Sequence, residues 1–169
     1  CPEVDVTIRY QEGVQQVLLN GEDVSGLIRT EEVGNMASAV SGYMPVREKL
    51  VELQKQLAAK ENVIMDGRDI GTCVLPDAPA KIYLTASVEV RAVRRYKELL
   101  EKGMEADLKE IEKDIEDRDY RDMHREHSPL KQAEDAVLLD TSSMTLDQVV
   151  EEILKIVREK GYKAAGGCA

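Results

Sequence analysis

The second half of the chain alternates two kinds of apolar pattern, and that alternation limits the fold more than any other feature. "AKIYLTA" (80–86) and "DAVLLDT" (135–141) are short apolar runs, read as strands rather than helices. "SVEVRAVRRYKELLEKG" (87–103) and "TLDQVVEEILKIVREKG" (145–161) instead carry apolar residues at helical spacing. Ser87 and Thr145 stand where N-caps belong, and Gly103 stops the first of these helices. Strands separated by whole helices pair in parallel, because a parallel connection needs a crossover of a dozen or more residues. The expectation is therefore α/β, with a parallel sheet in a layered architecture.

The first half reads differently. "VDVTIRY" (4–10) alternates apolar and polar residues, "QEG" turns, and "VQQVLLN" (14–20) follows, which predicts a hairpin ending at Asn20-Gly21. "TEEVGNMASAVSGY" predicts a helix capped by Thr30. "PVREKLVELQKQLAAK" predicts another, opened by Pro45 and buried along Val46, Leu50, Leu53 and Leu57. The hairpin and these two helices look like an insertion into the layer. "NVIMDGRDIG" predicts a short buried strand ending at Asp66-Gly67, and "DLKEIEKDIEDRDYRDMHRE" (107–126) a long helix too polar to be core. That helix either projects into solvent or covers a site. The tail "YKAAGGCA" reads as disordered.

Composition removes several functions. The 169 residues carry a formal charge of −10, with six Tyr, no Trp and no Phe, so there are few stacking platforms and the chain repels a phosphate backbone. No nucleic-acid polymer is expected as a partner. A small anion still can be, since a local cationic cluster focuses positive potential inside an acidic molecule. Three well-separated cysteines without a C-x-x-C argue against a disulfide framework or zinc knuckle and for a reducing, cytoplasmic setting. No apolar run reaches membrane-spanning length, and no signal peptide is visible.

Three charged constellations remain. In "EDRDYRDMHRE" (116–126), Arg118, Arg121 and Arg125 recur at spacings of three and four, which places them on one helical face. They are either a solvated face, with Asp117–Arg121 and Arg118–Asp122 as i,i+4 pairs, or guanidiniums delivered to phosphates. Arg91, Arg94 and Arg95 repeat the pattern after "TAS". "MDGRDIG" (65–71) lies at the end of an apolar run, where α/β sheets bind ligands, although Arg68 between two carboxylates also suits a structural ion pair. His124 and His127, three apart on one exposed stretch, are read as surface residues with no metal site.

At "MDGRDIGTCVLPDAPAKIYLTASVEVRAVRRYKEL" the sequence closely resembles bacterial cytidylate kinases. The resemblance runs on through "EDRDYRDMHRE" and back through "LNGEDVSGLIRTEEVGNMASAVSGYMPVREKL", covering nearly everything except the tail. It implies a three-layer, parallel-sheet nucleoside monophosphate kinase fold of P-loop type, with an inserted monophosphate-binding segment and a helical lid. Residues 1–60 would be the monophosphate-binding domain, 61–103 and 129–160 the core, 104–128 the lid region and 161–169 a tail. The implied activity is phosphoryl transfer from ATP to CMP or dCMP by a monomer, with Mg2+ accompanying ATP and no protein ligand for it assigned.

The resemblance also implies roles. Ser38, Arg47 and Asp69 would contact the cytosine: the carboxylate takes the amino group and the guanidinium serves the acceptors. Arg118 and Asp122 would hold the ribose hydroxyls, and Arg68 and Arg125 the CMP phosphate. Arg68, Arg121 and Arg125 would act in catalysis. Arg91 and Arg94 would neighbour the ATP phosphates or structural carboxylates. One departure matters. The family's Gly-rich G-x-x-x-x-G-K-[ST] loop, which holds the donor phosphates, occurs nowhere among the eleven glycines. The chain therefore reads as a cytidylate kinase without its N-terminal portion, which includes the P-loop and the first core strand. By itself it is expected to show no appreciable turnover. The alternative is a non-catalytic module that keeps the CMP pocket.

Overall fold

The computed structural model describes residues 4–28, 30–40 and 43–161. They divide into two compact units, Cys1–Ile64 and Met65–Ala169.

The first unit opens with a three-stranded antiparallel meander: β1 (Val6–Gln11), β2 (Val14–Leu19) and β3 (Glu22–Asp23). Val6 pairs with Leu19 and Gln11 with Val14, so only Glu12 and Gly13 bridge the strands. Both have positive φ, +51° and +79°, as a two-residue hairpin turn requires. Asn20 and Gly21 repeat this conformation at +51° and +86°. They do not end the sheet, as expected, but return the chain into β3. Ser25 then donates its hydroxyl to Asp23 and accepts the Val17 amide, closing the meander.

Helices α1 (Glu31–Val40) and α2 (Met44–Lys60) follow. Thr30 caps α1 by accepting the Val33 amide at 3.3 Å, and Pro45 lies in the first turn of α2. The expected buried stripe of α2 is only partly covered, with Val46, Leu53 and Leu57 half-buried. No residue of α2 is buried, and Leu50 is 46% exposed. Leu18 is the only buried hydrophobic side chain among the described residues of this unit.

The second unit holds the parallel pair β4 (Ile82–Thr85) and β5 (Val137–Asp140), in register from Ile82↔Val137 to Thr85↔Asp140. Helices α3 (Val88–Glu101), α4 (Leu108–His124) and α5 (Leu146–Glu159) complete it. Each starts on a side-chain cap. Ser87 accepts the Val90 amide, Asp107 the amides of Lys109 and Glu110, and Thr145 with Gln148 forms a full capping box. Gly103, at φ +73°, ends α3 by donating to the Leu100 carbonyl. Val74, Ala86, Ala92, Leu139 and Ile156 form the buried core.

The strand expected at 62–66 does not form. No strand among the described residues pairs with this segment, and Ile64 is fully exposed. An apolar run becomes a strand only when a neighbour supplies its ladder. Beyond it, Ile70–Val74 make a π-helical turn, which the sequence did not announce. The tail assigned as disordered lies outside the described residues, apart from Gly161.

Candidate active site

Asp66-Gly67-Arg68-Asp69 leads directly into the π-turn. The Asp69 carbonyl accepts the Cys73 amide at 2.8 Å and the Val74 amide at 3.3 Å, and Leu75 donates to the Ile70 carbonyl at 2.7 Å. Such wide turns are rare and recur at functional sites. Burial of Val74, only 2% exposed, anchors the turn from below. A Cβ on Gly67 would stand 2.9 Å from Cγ1 of Ile70, so glycine permits the close approach.

Arg68 reaches from this loop to α4, where its Nε donates to Oδ2 of Asp122 at 2.9 Å. The Asp122 carbonyl meanwhile accepts the Leu130 amide at 2.7 Å, which ties the chain after α4 back onto the helix. One turn on, Arg125 ends α4. Its Nε donates to the Ser128 carbonyl at 2.6 Å, across a reversal that puts Ser128 at φ +49°. Its Nη2 is buried and has no hydrogen-bond acceptor among the described residues. A guanidinium nitrogen in that condition suits an oxyanion.

The remaining arginines of α4 face water. Arg118 is exposed and makes no hydrogen bond or ion pair among the described residues, while Arg121 donates from Nε to the Asp117 carbonyl at 3.2 Å. The two i,i+4 pairs read from the sequence do not form as ion pairs, since Asp122 is taken by Arg68 and Arg121 meets a backbone oxygen. His124 is exposed, stacks on Tyr120 with ring centroids 4.1 Å apart, and turns Nδ1 to the Tyr120 carbonyl.

Of Arg91 and Arg94, expected beside the donor phosphates or structural carboxylates, the first meets a carboxylate and the second a loop. Arg91 grips the Asp119 carboxylate with both terminal nitrogens, at 3.0 and 2.6 Å, and donates Nε to the Ala86 carbonyl at 2.9 Å. The Asp119 hydrogen bond raises the already high Arg91 pKa, against the opposing pull of burial. Arg94 donates to the Thr141 hydroxyl and to the Thr141 and Met144 carbonyls, at 3.2, 2.6 and 3.3 Å. It thereby holds the β5–α5 loop, beside a cleft of about 450 Å3 walled also by Glu89, Ser142 and Thr145.

Within this unit the structure thus joins Arg68 to Asp122 and sets Arg125 one helical turn away. Ser38 and Arg47 belong to the other unit, on α1 and α2, and the Ser38 side chain lies outside the described residues. Asp119 escaped sequence reasoning. A signal was present, because it continues the half-buried stripe of Ile111 and Ile115.

A family model described as cytidylate kinase matches residues 2–159. The chain belongs to the cytidylate kinase family. Its similarity to individual members is high: it is 54% identical over 155 residues to a cytidylate kinase of Lactobacillus johnsonii, covering 92% of this chain and 67% of that protein. A cytidylate kinase of Listeria innocua is 51% identical over 90% of this chain and 69% of its own length. One from Cupriavidus necator is 50% identical over 85% and 64%. The chain spans about two-thirds of the length of these cytidylate kinases. No helix among the described residues is long and apolar enough to cross a membrane.

Proposed function

We propose that this chain carries the acceptor side of a cytidylate kinase, in which an oxygen of the CMP or dCMP phosphate attacks the γ-phosphorus of ATP. The bond from that phosphorus to the β,γ-bridging oxygen breaks, and CDP or dCDP and ADP result. Phosphoryl transfer asks a protein mainly to position charges and stabilise them. The acceptor is already anionic, so no strong general base is needed. Arg68 and Arg125 take the acceptor phosphate, Asp122 and Arg118 the ribose, and Arg121 lies on the same helix to neutralise charge as the lid closes.

The observation that carries this reading is the buried, unmatched Nη2 of Arg125, one turn from the Arg68–Asp122 pair. Asp69 follows Arg68 directly and takes the cytosine amino group. Uracil would present an oxygen there and lose the bond. Ser38 and Arg47 keep the base-reading roles that the resemblance implies. A guanidinium-rich donor set suits phosphate oxygens rather than a divalent cation. Magnesium, which helps neutralise the transferring phosphoryl group, would accordingly be held by ATP itself. The donor-phosphate loop characteristic of the family is absent from these 169 residues. We therefore assign CMP binding to this chain and turnover to a protein that also carries such a loop.

Calorimetric titration with CMP and UMP tests the assignment. CMP binding that exceeds UMP binding is expected, and equal affinities would overturn the base-reading role of Asp69. Coupled detection of ADP release with ATP and CMP tests the second part. Robust turnover by this chain alone would overturn it.

A further inference from the structure

Helix α4 is fastened to its unit in an unusual way. None of its residues is buried. Its half-buried positions include Ile111, Ile115, Asp119, Asp122 and Arg125, at spacings of three and four, so they form the stripe turned towards the rest of the unit. The N-terminal part of that stripe is aliphatic, but its C-terminal part is ionic. An aliphatic residue at position 119 would seat a helix at least as firmly as a carboxylate, because ion pairs in such places lose much of their Coulombic gain to desolvation. The carboxylate therefore needs a reason other than stability.

Its partner supplies one. Arg91 meets Asp119 through both terminal nitrogens, and the same guanidinium donates Nε to the carbonyl of Ala86, one residue beyond the carboxyl end of β4. A planar group held at three points has no freedom to rotate. Through it, the axial rotation of α4 is fixed against β4 and α3 together. Asp119 is flanked in sequence by Arg118, and lies one turn from Asp122 and nearly two from Arg125. Any roll of α4 about its axis moves those three side chains together.

We propose that the Arg91–Asp119 fork sets the rotation of α4 and so positions Arg118, Asp122 and Arg125 for the phosphorylated nucleotide, both members being positioning residues that do not touch it. This rests on the acceptor-site reading above. It also moves Arg91 from the donor phosphates to the architecture of the lid.

The test compares variants of the 169-residue chain. Asp119→Leu with Arg91→Met keeps volume on the stripe but removes the fork, and Arg91→Lys keeps the charge but cannot form it. Asp135→Asn is the control, since it breaks the Lys81–Asp135 pair, a contact in the same unit that involves no residue of α4. The double variant is expected to melt within a few degrees of wild type, yet to bind CMP about tenfold or more weakly, the scale of loss that an ångström of misplacement produces. Arg91→Lys should not restore affinity, and Asp135→Asn should leave it unchanged. CMP affinity within twofold of wild type in the double variant would overturn the proposal. If wild type itself fails to bind CMP, the acceptor-site reading falls, and amide exchange decides the fork separately. Faster exchange across 115–124 in the double variant but not in Asp135→Asn sustains the fork as the device that holds α4, and unchanged exchange overturns it.

Discussion

Replacing Arg94 by methionine separates two roles that the sequence left open, a phosphate ligand and a structural clamp. The structure allows the cost to be worked out. Arg94 donates to the Thr141 hydroxyl at 3.2 Å, to the Thr141 carbonyl at 2.6 Å and to the Met144 carbonyl at 3.3 Å. Hydrogen bonds from a charged donor contribute about 1.5–3 kcal/mol each, so the gross value approaches twice that for the two partly buried bonds. The net loss is smaller, because the acceptors retain other partners. The Thr141 carbonyl still accepts the Met144 amide at 3.1 Å, and the Thr141 hydroxyl still donates to the Thr85 carbonyl at 3.0 Å. With no buried group left unmatched, Arg94→Met should cost about 2 kcal/mol, which a thermal melt followed by circular dichroism reads as a fall of about 8 °C. The comparison is Arg95→Met. Among the described residues Arg95 pairs only with Glu98, three residues on, with both side chains about half exposed. Such an exposed pair contributes little, so Arg95→Met should melt close to wild type. Equal melting temperatures for the two variants would refute the clamp and return Arg94 to the phosphate-binding candidates.

Four other outcomes follow from the geometry. Asp122→Asn should lower stability by no more than about 1 kcal/mol, since its pair with Arg68 is partly exposed, but on the acceptor-site reading should weaken CMP in calorimetry. Val74→Ala removes two methyl groups from a site that is 2% exposed, and urea unfolding should show a loss of about 2 kcal/mol. Raising salt from low to physiological strength should weaken CMP binding, because guanidiniums on an acidic body act through screened fields. Asp140 is one of several carboxylates that contribute to acid behaviour, with Asp23, Glu89, Glu98 and Asp135. The Ser142 hydroxyl, then its amide, hold the Asp140 carboxyl below its ordinary 3.8. Its stabilising contribution is therefore complete above that value and lost as pH falls through the lower folded one. Asp140→Asn should accordingly lose less melting temperature than wild type between pH 5 and pH 2.

What could be read from the sequence was what is decided within four residues. Ser87, Thr145 and Thr30 cap their helices because a hydroxyl reaches amides two or three positions on, whatever lies elsewhere. Glu12-Gly13 turns because Gly13 takes positive φ without steric cost, and Glu12 is drawn to +51° beside it. The misreadings share a cause of the opposite kind. Residues 62–66 have the composition of a strand, but a strand is a property of two segments, and no strand pairs with this one. The aliphatic stripe of α2 has the right spacing, but burial depends on what covers it, and Leu50 remains 46% exposed. The π-turn at Ile70–Val74 has no compositional mark that separates it from a loop.

The site divides along the same line. Periodicity placed Arg118, Arg121 and Arg125 on one face of a helix, and the helix formed. Periodicity could not choose among partners, because Arg68 and Asp122 are 54 residues apart and Arg91 and Asp119 are 28 apart. Local reasoning therefore paired Asp122 with Arg118, its neighbour at i−4. The folded chain gives Asp122 to Arg68, and Arg118 is left to water. The difference has a functional sense. A carboxylate satisfied by its own helix would hold nothing in place. Satisfied from the loop after Gly67, it ties that loop to α4, so that on the acceptor-site reading a substrate phosphate arriving at Arg68 is felt by both. An arginine-rich helix becomes a binding device through where its carboxylates are anchored, and that is fixed by contacts distant in sequence.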